Sequence, residues 1–283
     1  MFHNPQRVLV LGATGMLGHM LIRVLSTNHE VFGSTLGRYS FESPIAQLLD
    51  DNHLISGVDG CNWLSVENAV KQIQPDVIIN CIGLIKQKLD SNRTIEAICL
   101  NSLLPHQLAR LCDKSGLRLI HISTDCVFQG SPGLKHLSDR PDATDLYGVS
   151  KRLGEIDYGN ALTLRTGFIG RQLSGSESLI EWLISQRGQT IRGFVNAIYS
   201  GLTTSALSRV IQDVIEGHQS LTGVYQVAST PISKFDLLTQ TANCLGLGIN
   251  VIPDNQFSCD RSLDASSFLE ATNIGIPSWD EML

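Results

Sequence analysis

The sequence predicts an α/β fold, in which a doubly wound parallel sheet is followed by a smaller C-terminal lobe. Over the first 165 of the 283 residues, short apolar runs alternate with helical patterns. The runs are apolar on both faces, which is typical of parallel strands that helices cover on two sides. After Arg165 the alternation stops and the chain becomes rich in Gly and Ser. We therefore predict one domain over residues 1–165 and a smaller, interleaved lobe over residues 166–283.

The elements can be placed along the chain from their apolar patterns and their end signals. Six strands are predicted in the first domain, at residues 7–11, 30–34, 53–58, 76–81, 117–122 and 161–165. Helices are predicted between them at residues 18–27, 65–73, 94–115 and 145–158. Ser65 is a typical N-cap residue, and Gly116 is typical of a helix end. In the lobe we predict helices at 178–187, 204–217 and 234–245, a strand at 223–227, and irregular structure elsewhere.

The composition of the chain limits the partners that it can have. The net charge is −6, with 42% hydrophobic and 17% charged residues, which is typical of a folded chain. No run of five basic residues occurs, which argues against nucleic acid and against an anionic membrane surface as partners. The chain also lacks 18 consecutive apolar residues and the pattern of a signal peptide, so we expect no membrane association.

The cysteines indicate a reducing compartment. There are seven, an odd number, and no Cys-x-x-Cys pair occurs. Cys81, Cys99 and Cys112 lie in apolar segments, where a free thiol packs as a small hydrophobic side chain. The eight histidines show no metal-ligand spacing. We therefore expect a cytoplasmic protein without a metal site.

A glycine-rich turn, Gly12-Ala-Thr-Gly-Met-Leu-Gly18, directly follows the first strand and opens the first helix. Glycines permit a tight turn, and the helix N-terminus presents free N–H groups to a pyrophosphate. This context favours a Rossmann-type dinucleotide-binding domain over residues 1–165, with an ordinary glycine-rich turn as the alternative. The residues predicted to contact the dinucleotide in this turn are Gly12, Thr14, Gly15, Met16, Leu17 and Gly18.

The end of the second strand favours NADP over NAD. NAD sites usually place an acidic residue there, about 20 residues after the glycine turn. This chain has Ser34, Thr35 and Arg38 instead, whose hydroxyls and positive charge suit a 2′-phosphate, unless Arg38 is merely solvated. Further residues predicted to line the cofactor follow the third and fourth strands, namely Asp59, Asn80, Cys81, Ile82 and Gly83.

Three residues are candidates for proton transfer. Tyr147 and Lys151 are four residues apart, which places a phenol and an ammonium on one face of a helix. We expect the positive charge to lower the pKa of Tyr147, which makes it a usable acid near neutral pH. Thr124 ends the fifth strand and can hydrogen-bond a substrate carbonyl while Tyr147 protonates it. Taken singly, these are also ordinary helix-surface and turn residues.

Taken in chain order, these motifs resemble those of the extended short-chain dehydrogenase/reductase superfamily. Within it the chain is most similar to dTDP-4-dehydrorhamnose reductase and related nucleotide-sugar reductases. The segments that carry this resemblance are the glycine turn, Ser123-Thr-Asp-Cys-Val-Phe-Gln-Gly130, Tyr147-Gly-Val-Ser-Lys-x-x-Gly-Glu155 and Gly201-Leu-Thr-Thr204.

The resemblance implies NADPH-dependent reduction of the 4-keto group of a nucleotide-activated 4-keto-6-deoxy sugar, in the synthesis of cell-surface polysaccharide precursors. Thr124 would hold the ketone oxygen, Tyr147 would protonate it, and Lys151 would bind the nicotinamide ribose. A homodimer is possible. Two alternatives stay open: a reductase of a UDP-linked N-acetylated keto-hexose, and a non-catalytic nucleotide-binding regulatory subunit on the same fold.

On the substrate side, the chain departs from the pattern of these reductases. Cys126 stands where they commonly have Tyr, and Leu202 stands where they tend to have Pro, so the sugar can differ. Lys234 is either a phosphate contact or an ordinary N-terminal helix residue. Trp182 lies in an apolar helical pattern, so core packing is an equal alternative for it. The residues predicted to bind substrate are Asp125, Cys126, Val127, Phe128, Trp182, Asn196 and Arg261.

Overall fold

The computed structural model of the chain describes residues 4–38, 43–89 and 91–283. Its strands, in chain order, are β1 (Arg7–Leu11), β2 (Glu30–Thr35), β3 (Leu54–Ser56), β4 (Val77–Asn80), β5 (Arg118–Ile122), β6 (Ala161–Arg165), β7 (Phe168–Ile169), β8 (Thr190–Tyr199), β9 (Leu202–Thr203), β10 (Gly223–Gln226), β11 (Ile232–Ser233) and β12 (Asn250–Asp260). A parallel sheet of seven strands, in the order β10-β6-β5-β4-β1-β2-β3, forms the centre of the molecule. This arrangement confirms the predicted fold class.

The helices pack on the sheet and around it. In chain order they are α1 (Gly18–Leu25), α2 (Trp63–Ile73), α3 (Thr94–Ala97), α4 (Leu104–Ser115), α5 (Leu146–Leu153), α6 (Leu179–Ser185), α7 (Thr204–Gly217), α8 (Lys234–Cys244), α9 (Ser266–Thr272) and α10 (Trp279–Met282). Helix α2 begins after Asn62 and not at Ser65, whose hydroxyl donates back to the Asn62 carbonyl over 2.8 Å. Within the described ranges, no helix has the length and apolar character needed to cross a lipid bilayer.

Strand β1 shows why the sheet is buried on both faces. Val8, Leu9, Val10 and Leu11 are all 0% exposed. Val8 and Val10 pack into the apolar cluster that α1 and α7 complete, whereas Leu9 and Leu11 pack into the cluster that α2 and α4 complete. Because side chains alternate along a strand, one apolar run supplies both cores.

The predicted helix over residues 94–115 is present, but it is not a uniform α-helix. Helix α3 continues into a π-helical segment, Ile98–Leu103, and then into α4, which ends at Gly116 with a φ of +69°. Pro105, at the start of α4, has no N–H to donate to the Asn101 carbonyl four residues earlier, and its ring would clash with that carbonyl in a regular α-helix. The wider π-helical turn accommodates the proline.

The irregular structure predicted for residues 190–199 and 250–260 is wrong. Strand β8 has ten residues and pairs in parallel with β12, which has eleven, while β11 pairs antiparallel with β8. Buried and exposed residues alternate from Ile191 to Phe194, so a strand signal was present in β8. Strand β12 lies at the edge of this sheet, contains Pro253 and is mostly exposed, so it has no apolar signal.

Residues after 165 contribute one strand to the central sheet and form the three-stranded sheet and a two-stranded sheet of β7 and β9. Strand β10 pairs with β6 in the central sheet, and α7 packs against α1, whereas α8 packs against β8 of the three-stranded sheet. The division into a dinucleotide-binding domain and a substrate lobe at residue 165 stays a prediction.

Helix α5, which carries Tyr147 and Lys151, is shorter than the predicted 145–158. It ends at Gly154, whose Cα lies against the Asn101 carbonyl of the π-helical segment; a Cβ there would overlap the Asn101 oxygen. The absence of a side chain at this position therefore lets α5 pack against the helix that precedes it.

We expect Gly154→Ala to lower the free energy of unfolding by about 1–3 kcal/mol, because overpacking against backbone forces a shift of the helix. Gly217→Ala is the control, since a Cβ at Gly217 meets nothing within 4 Å. Urea unfolding of the two variants checks this. Equal stability of the two variants would contradict the described contact.

Candidate active site

The glycine turn brings backbone N–H groups to the carboxyl edge of the sheet. Gly12 has a φ of +84°, and its N–H donates to the Ser34 hydroxyl over 3.2 Å. The Gly15 N–H donates to the Gly12 carbonyl over 3.0 Å, and a Cβ at Gly18 would overlap the Gly12 oxygen. Within the described residues no side chain caps the N-terminus of α1, whose His19 N–H donates to the Gly15 carbonyl over 3.1 Å. This geometry fits the pyrophosphate of a dinucleotide.

The side chains predicted to bind the cofactor divide into exposed and buried ones. Thr14 is exposed and Met16 is half-buried beside the turn. Leu17 is only 3% exposed and packs in the core, so only its backbone is available. Ser34 and Thr35 are buried, and their hydroxyls bond to the Gly12 N–H and the Gly37 carbonyl. These three side chains have contacts within the protein, and their contact with a cofactor stays a prediction.

Arg38 is exposed at the end of the second strand. Asp59 is half-buried, and its carboxylate accepts the Cys61 N–H over 2.9 Å. Both side chains remain able to reach a nucleotide at this edge.

Asn80 shapes the turn after β4. The Asn80 side chain is 0% exposed. Its Oδ1 accepts the Ile82 N–H over 3.1 Å, and its Nδ2 lies 3.2 Å from Nδ1 of His121. This corrects the expectation that its side chain lines the ribose. Cys81 and Ile82 are half-buried, while Gly83 is exposed. A Cβ at Gly83 would lie 3.9 Å from Nζ of Lys151, so the turn reaches the proposed catalytic lysine.

Thr124 and Tyr147 are neighbours at this edge of the sheet, since the Thr124 side chain acts on the Tyr147 phenol. Gly148, next to Tyr147, lies against the Cys126 carbonyl, which a Cβ would overlap, so α5 fits closely against the loop after β5. The Thr124 hydroxyl also donates to Asp125 Oδ1 over 3.1 Å and accepts the Cys126 N–H over 3.2 Å.

The expectation for the pKa of Tyr147 is corrected by the structure. Burial raises the pKa of the phenol, and the neighbouring Thr124 side chain lowers it only in part. Lys151 is not among the groups that shift it. Tyr147 is therefore a neutral phenol at physiological pH, which is the form that donates a proton.

Lys151 is a buried ammonium. It is 6% exposed, and its Nζ donates to the Ile122 carbonyl at the end of β5 over 2.7 Å. Burial lowers the pKa of Lys151 to about 8, while Glu155 and Cys81 act in the opposite direction. The ammonium group of Lys151 is therefore buried beside the proposed active site and is not exposed on the surface of α5.

Asn101 is a structural residue of this site that the sequence analysis missed. Its Oδ1 accepts the Leu84 N–H over 2.8 Å, and its Nδ2 donates to the Leu84 carbonyl and to the Ser150 hydroxyl, each over 3.1 Å. It thereby ties the loop after β4 to α5. Pro105 was the available signal, since a proline inside a helical pattern marks an irregular turn.

A buried ion pair lies behind the Thr124 loop. Arg165 donates to both carboxylate oxygens of Glu155 over 2.9 and 2.7 Å, and the Ser123 hydroxyl donates to the same carboxylate over 2.7 Å. The Ser123 hydroxyl is thereby fixed by the Glu155 carboxylate, whereas the Thr124 side chain lies beside Tyr147.

The residues predicted to bind substrate lie at different distances from this centre. Val127 and Phe128 are 0% and 1% exposed in an apolar cluster with Ala228 and Leu263, so their side chains pack and do not line a site, which corrects the expectation. Arg261 donates from Nε to the Phe128 carbonyl over 2.9 Å.

Cys126 and Asp125 lie directly beside Thr124. An Arg261 N–H points at Sγ of Cys126 over 3.5 Å. Burial raises the pKa of the Cys126 thiol to about 12, so it is protonated at neutral pH. Asp125 is 9% exposed.

Trp182 and Asn196 are not brought to this centre by any described contact. Trp182 is 39% exposed on α6 and is absent from the described apolar clusters. Asn196 is exposed on β8. Between the described residues, neither side chain has a hydrogen bond to Thr124, Asp125 or Tyr147. The same part of the chain holds no group of three or more side chains suited to a metal ion.

The sequence pattern of one protein family, described as "RmlD substrate binding domain", matches residues 6–258 of the chain. The chain belongs to this family. The match covers most of the central sheet, the loop with Thr124, helix α5 and most of the three-stranded sheet.

Three relatives illustrate this RmlD family. A "probable low-salt glycan biosynthesis reductase" of Haloferax volcanii is 27% identical over 78% of this chain and 73% of its own length. A dTDP-4-dehydrorhamnose reductase of Streptomyces griseus is 32% identical over 58% of this chain and 48% of its own length. The subunit beta of methionine adenosyltransferase 2 from Bos taurus is 32% identical over 53% of this chain and 42% of its own length. The last two matches span about half of each relative.

Among solved structures, dTDP-4-dehydrorhamnose reductase from Bacillus anthracis in complex with NADP has the same fold. The TM-score is 0.79 at 22% identity, and the match covers 98% of this chain and 96% of that chain. At this identity the likeness concerns the fold of this RmlD-family chain.

The buried ammonium of Lys151 predicts a pH dependence of stability. Its pKa is about 8 in the folded chain against an ordinary 10.5, so the folded state binds fewer protons between these values. The free energy of unfolding therefore rises with pH across this window, by about 3 kcal/mol for this group, because the cost of burying the charge is lost.

Urea unfolding of the wild type and of Lys151→Met between about pH 7.5 and pH 10.5 checks this sign. We expect the wild type to gain stability relative to the variant as the pH rises. The control is Lys71→Met, since the Lys71 side chain is 65% exposed and should follow the wild type. Parallel curves for wild type and Lys151→Met would contradict burial of the charge.

Proposed function

We propose that this RmlD-family protein is an NADPH-dependent reductase of a nucleotide-activated 4-keto-6-deoxy sugar. In this proposal it acts in the synthesis of cell-surface polysaccharide precursors. The observation that carries the proposal is the close packing of the Tyr147 helix on the Thr124 loop, beside the buried Lys151 and at the carboxyl edge that also holds the glycine turn. The names of two relatives, a glycan biosynthesis reductase and a dTDP-4-dehydrorhamnose reductase, support the substrate class.

The residues of the site suit the reduction of a ketone. When bound, NADPH supplies the hydride that reduces the sugar carbonyl carbon. The neutral Tyr147 phenol donates a proton to the carbonyl oxygen, and the Thr124 hydroxyl orients that oxygen by a hydrogen bond. Lys151, held by the Ile122 carbonyl, is placed to bind a ribose hydroxyl and to stabilise the negative charge that Tyr147 acquires.

The glycine turn and Arg38 would hold the cofactor. The N-terminus of α1, which no described side chain caps, suits its pyrophosphate, and the exposed guanidinium of Arg38 suits a 2′-phosphate by a charge-assisted hydrogen bond. Since no acidic residue ends the second strand, we propose that NADPH is preferred over NADH.

A non-catalytic subunit is the second candidate function. The similarity to a methionine adenosyltransferase subunit favours it, because that relative is named as a subunit. The complete set of Thr124, Tyr147 and Lys151 favours the enzyme. Which nucleotide the substrate carries is a separate question from whether the protein is an enzyme. Cys126 leaves a small side chain beside Thr124, and a UDP-linked N-acetylated keto-hexose is the alternative substrate.

Purified protein should oxidise NADPH with at least one member of a panel of dTDP- and UDP-linked 4-keto sugars, and should require more NADH than NADPH. Tyr147→Phe should lower kcat by about 100- to 10,000-fold, since it removes the proton donor. Tyr158→Phe is the matched control, because Tyr158 is 45% exposed and bonds to His106 away from the site.

The absorbance of the reduced nicotinamide is the readout. NADPH binding without oxidation by any sugar of the panel would favour the subunit over the enzyme. Full activity of Tyr147→Phe would contradict the role of this tyrosine.

We also propose a homodimer and a cytoplasmic location. Exposed apolar side chains lie just before α4, at the end of α5 and after α5, among them Leu103, Leu153 and Tyr158, which suits a contact between two copies. All seven cysteines are free, which suits a reducing compartment. Sedimentation velocity should show a species of twice the chain mass, and a monomer at micromolar concentration would contradict the dimer.

A further inference from the structure

Lys234 and Tyr199 form a polar pair beside the proposed active site that the proposed mechanism does not use. Tyr199 ends β8, Lys234 begins α8, and the pairing of Ile232 with Tyr199 between β11 and β8 brings them together. Nζ of Lys234 lies 4.0 Å from the centroid of the Tyr199 ring. The ammonium is therefore held against the face of an aromatic ring.

Asp125 connects this pair to the proposed catalytic residues. The Thr124 hydroxyl bonds to one of its carboxylate oxygens. The other oxygen lies 3.0 Å from where a Cβ of Gly167 would stand, and that Cβ would lie 2.6 Å from the Tyr199 ring. Burial raises the pKa of Tyr199 and lowers that of Lys234, and Asp125 pushes both upward as a smaller effect. Asp125 thus contacts Thr124 through one carboxylate oxygen and lies near the pair with the other.

Two polar groups of the pair are without hydrogen bonds. The Tyr199 hydroxyl is buried and has no partner among the described residues. Within the same residues, Lys234 forms neither a hydrogen bond nor an ion pair, whereas Lys135 and Lys151 each donate to carbonyl oxygens over 2.6–2.8 Å. Leaving buried polar groups unpaired is unfavourable, so a polar ligand that bonds to them would be stabilising.

The charges around the pair favour an anionic ligand. Arg261 is a second cation beside this short loop, with an N–H at Sγ of Cys126. Asp125 and Asp145 both act on Arg261, but Asp145 is also paired with Lys86. Because burial keeps the Cys126 thiol neutral, the cations of this region outnumber its carboxylates by three to two. A diphosphate carries the opposite charge and enough oxygens to accept from more than one donor.

We propose that Lys234, positioned by the ring of Tyr199, binds the diphosphate of the nucleotide-linked substrate. This inference rests on the proposed function, and it assigns to Lys234 a role in binding and orienting the substrate, not in proton transfer. It also explains why a cation at the start of α8 points inward beside Asp125 instead of into solvent.

Calorimetric titration of the NADP-loaded protein with dTDP and with UDP tests the inference without turnover. Lys234→Met should weaken the binding of whichever diphosphate binds by about 10- to 100-fold, as expected for a lost charge-assisted hydrogen bond. Lys234→Arg should keep the affinity within about threefold, since it keeps the charge. Raising the salt concentration should weaken binding to the wild type more than binding to Lys234→Met.

Lys71→Met is the matched control, because it removes an exposed lysine on α2. Unchanged diphosphate affinity in a folded Lys234→Met protein would overturn the inference, as would equal loss in Lys234→Met and Lys234→Arg. If the wild type reduces a sugar and Lys234→Met has the same KM, the inference alone fails. If the wild type neither binds a diphosphate nor reduces any sugar of the panel, both the proposed function and the inference about Lys234 fail.

Discussion

The burial of one ammonium group constrains the rest of the site. Lys151 is 6% exposed and donates to the Ile122 carbonyl at the end of the central strand β5. A charge removed from water is costly unless polar groups surround it. Glu155 and Cys81 provide part of that compensation, since both act against the fall in its pKa. The lysine can occupy this place only while α5 stays close to the ends of β4 and β5.

Close backbone contacts keep α5 there. Gly148 lets the helix fit against the Cys126 carbonyl, and Gly154 lets it fit against the Asn101 carbonyl. The side chain of Asn101 then joins Ser150 of this helix to Leu84 after β4. One rigid unit thus carries Tyr147 to Thr124, so the geometry of proton donation is set before substrate binds. Such preorganisation is the main contribution a protein makes when a cofactor carries the redox chemistry.

The sequence predicted what local patterns determine and missed what long-range contacts determine. The strand at residues 161–165 and helix 204–217 have the predicted bounds, because apolar periodicity and capping are local. The edge strand β12 was missed, because exposed polar residues form it only by pairing with β8. The motif predicted that Tyr147 and Thr124 would meet. It could not show that burial would raise the pKa of Tyr147.

The central claim is that the site reduces a sugar ketone. Its most direct test uses NADPH that carries deuterium at the transferable position of its nicotinamide, with mass spectrometry and NMR of the recovered nucleotide sugar. The account predicts one deuterium on the carbon that carried the ketone, with wild-type protein and not with Tyr147→Phe. Bound NADPH with no deuterium in any nucleotide sugar of the panel would contradict it.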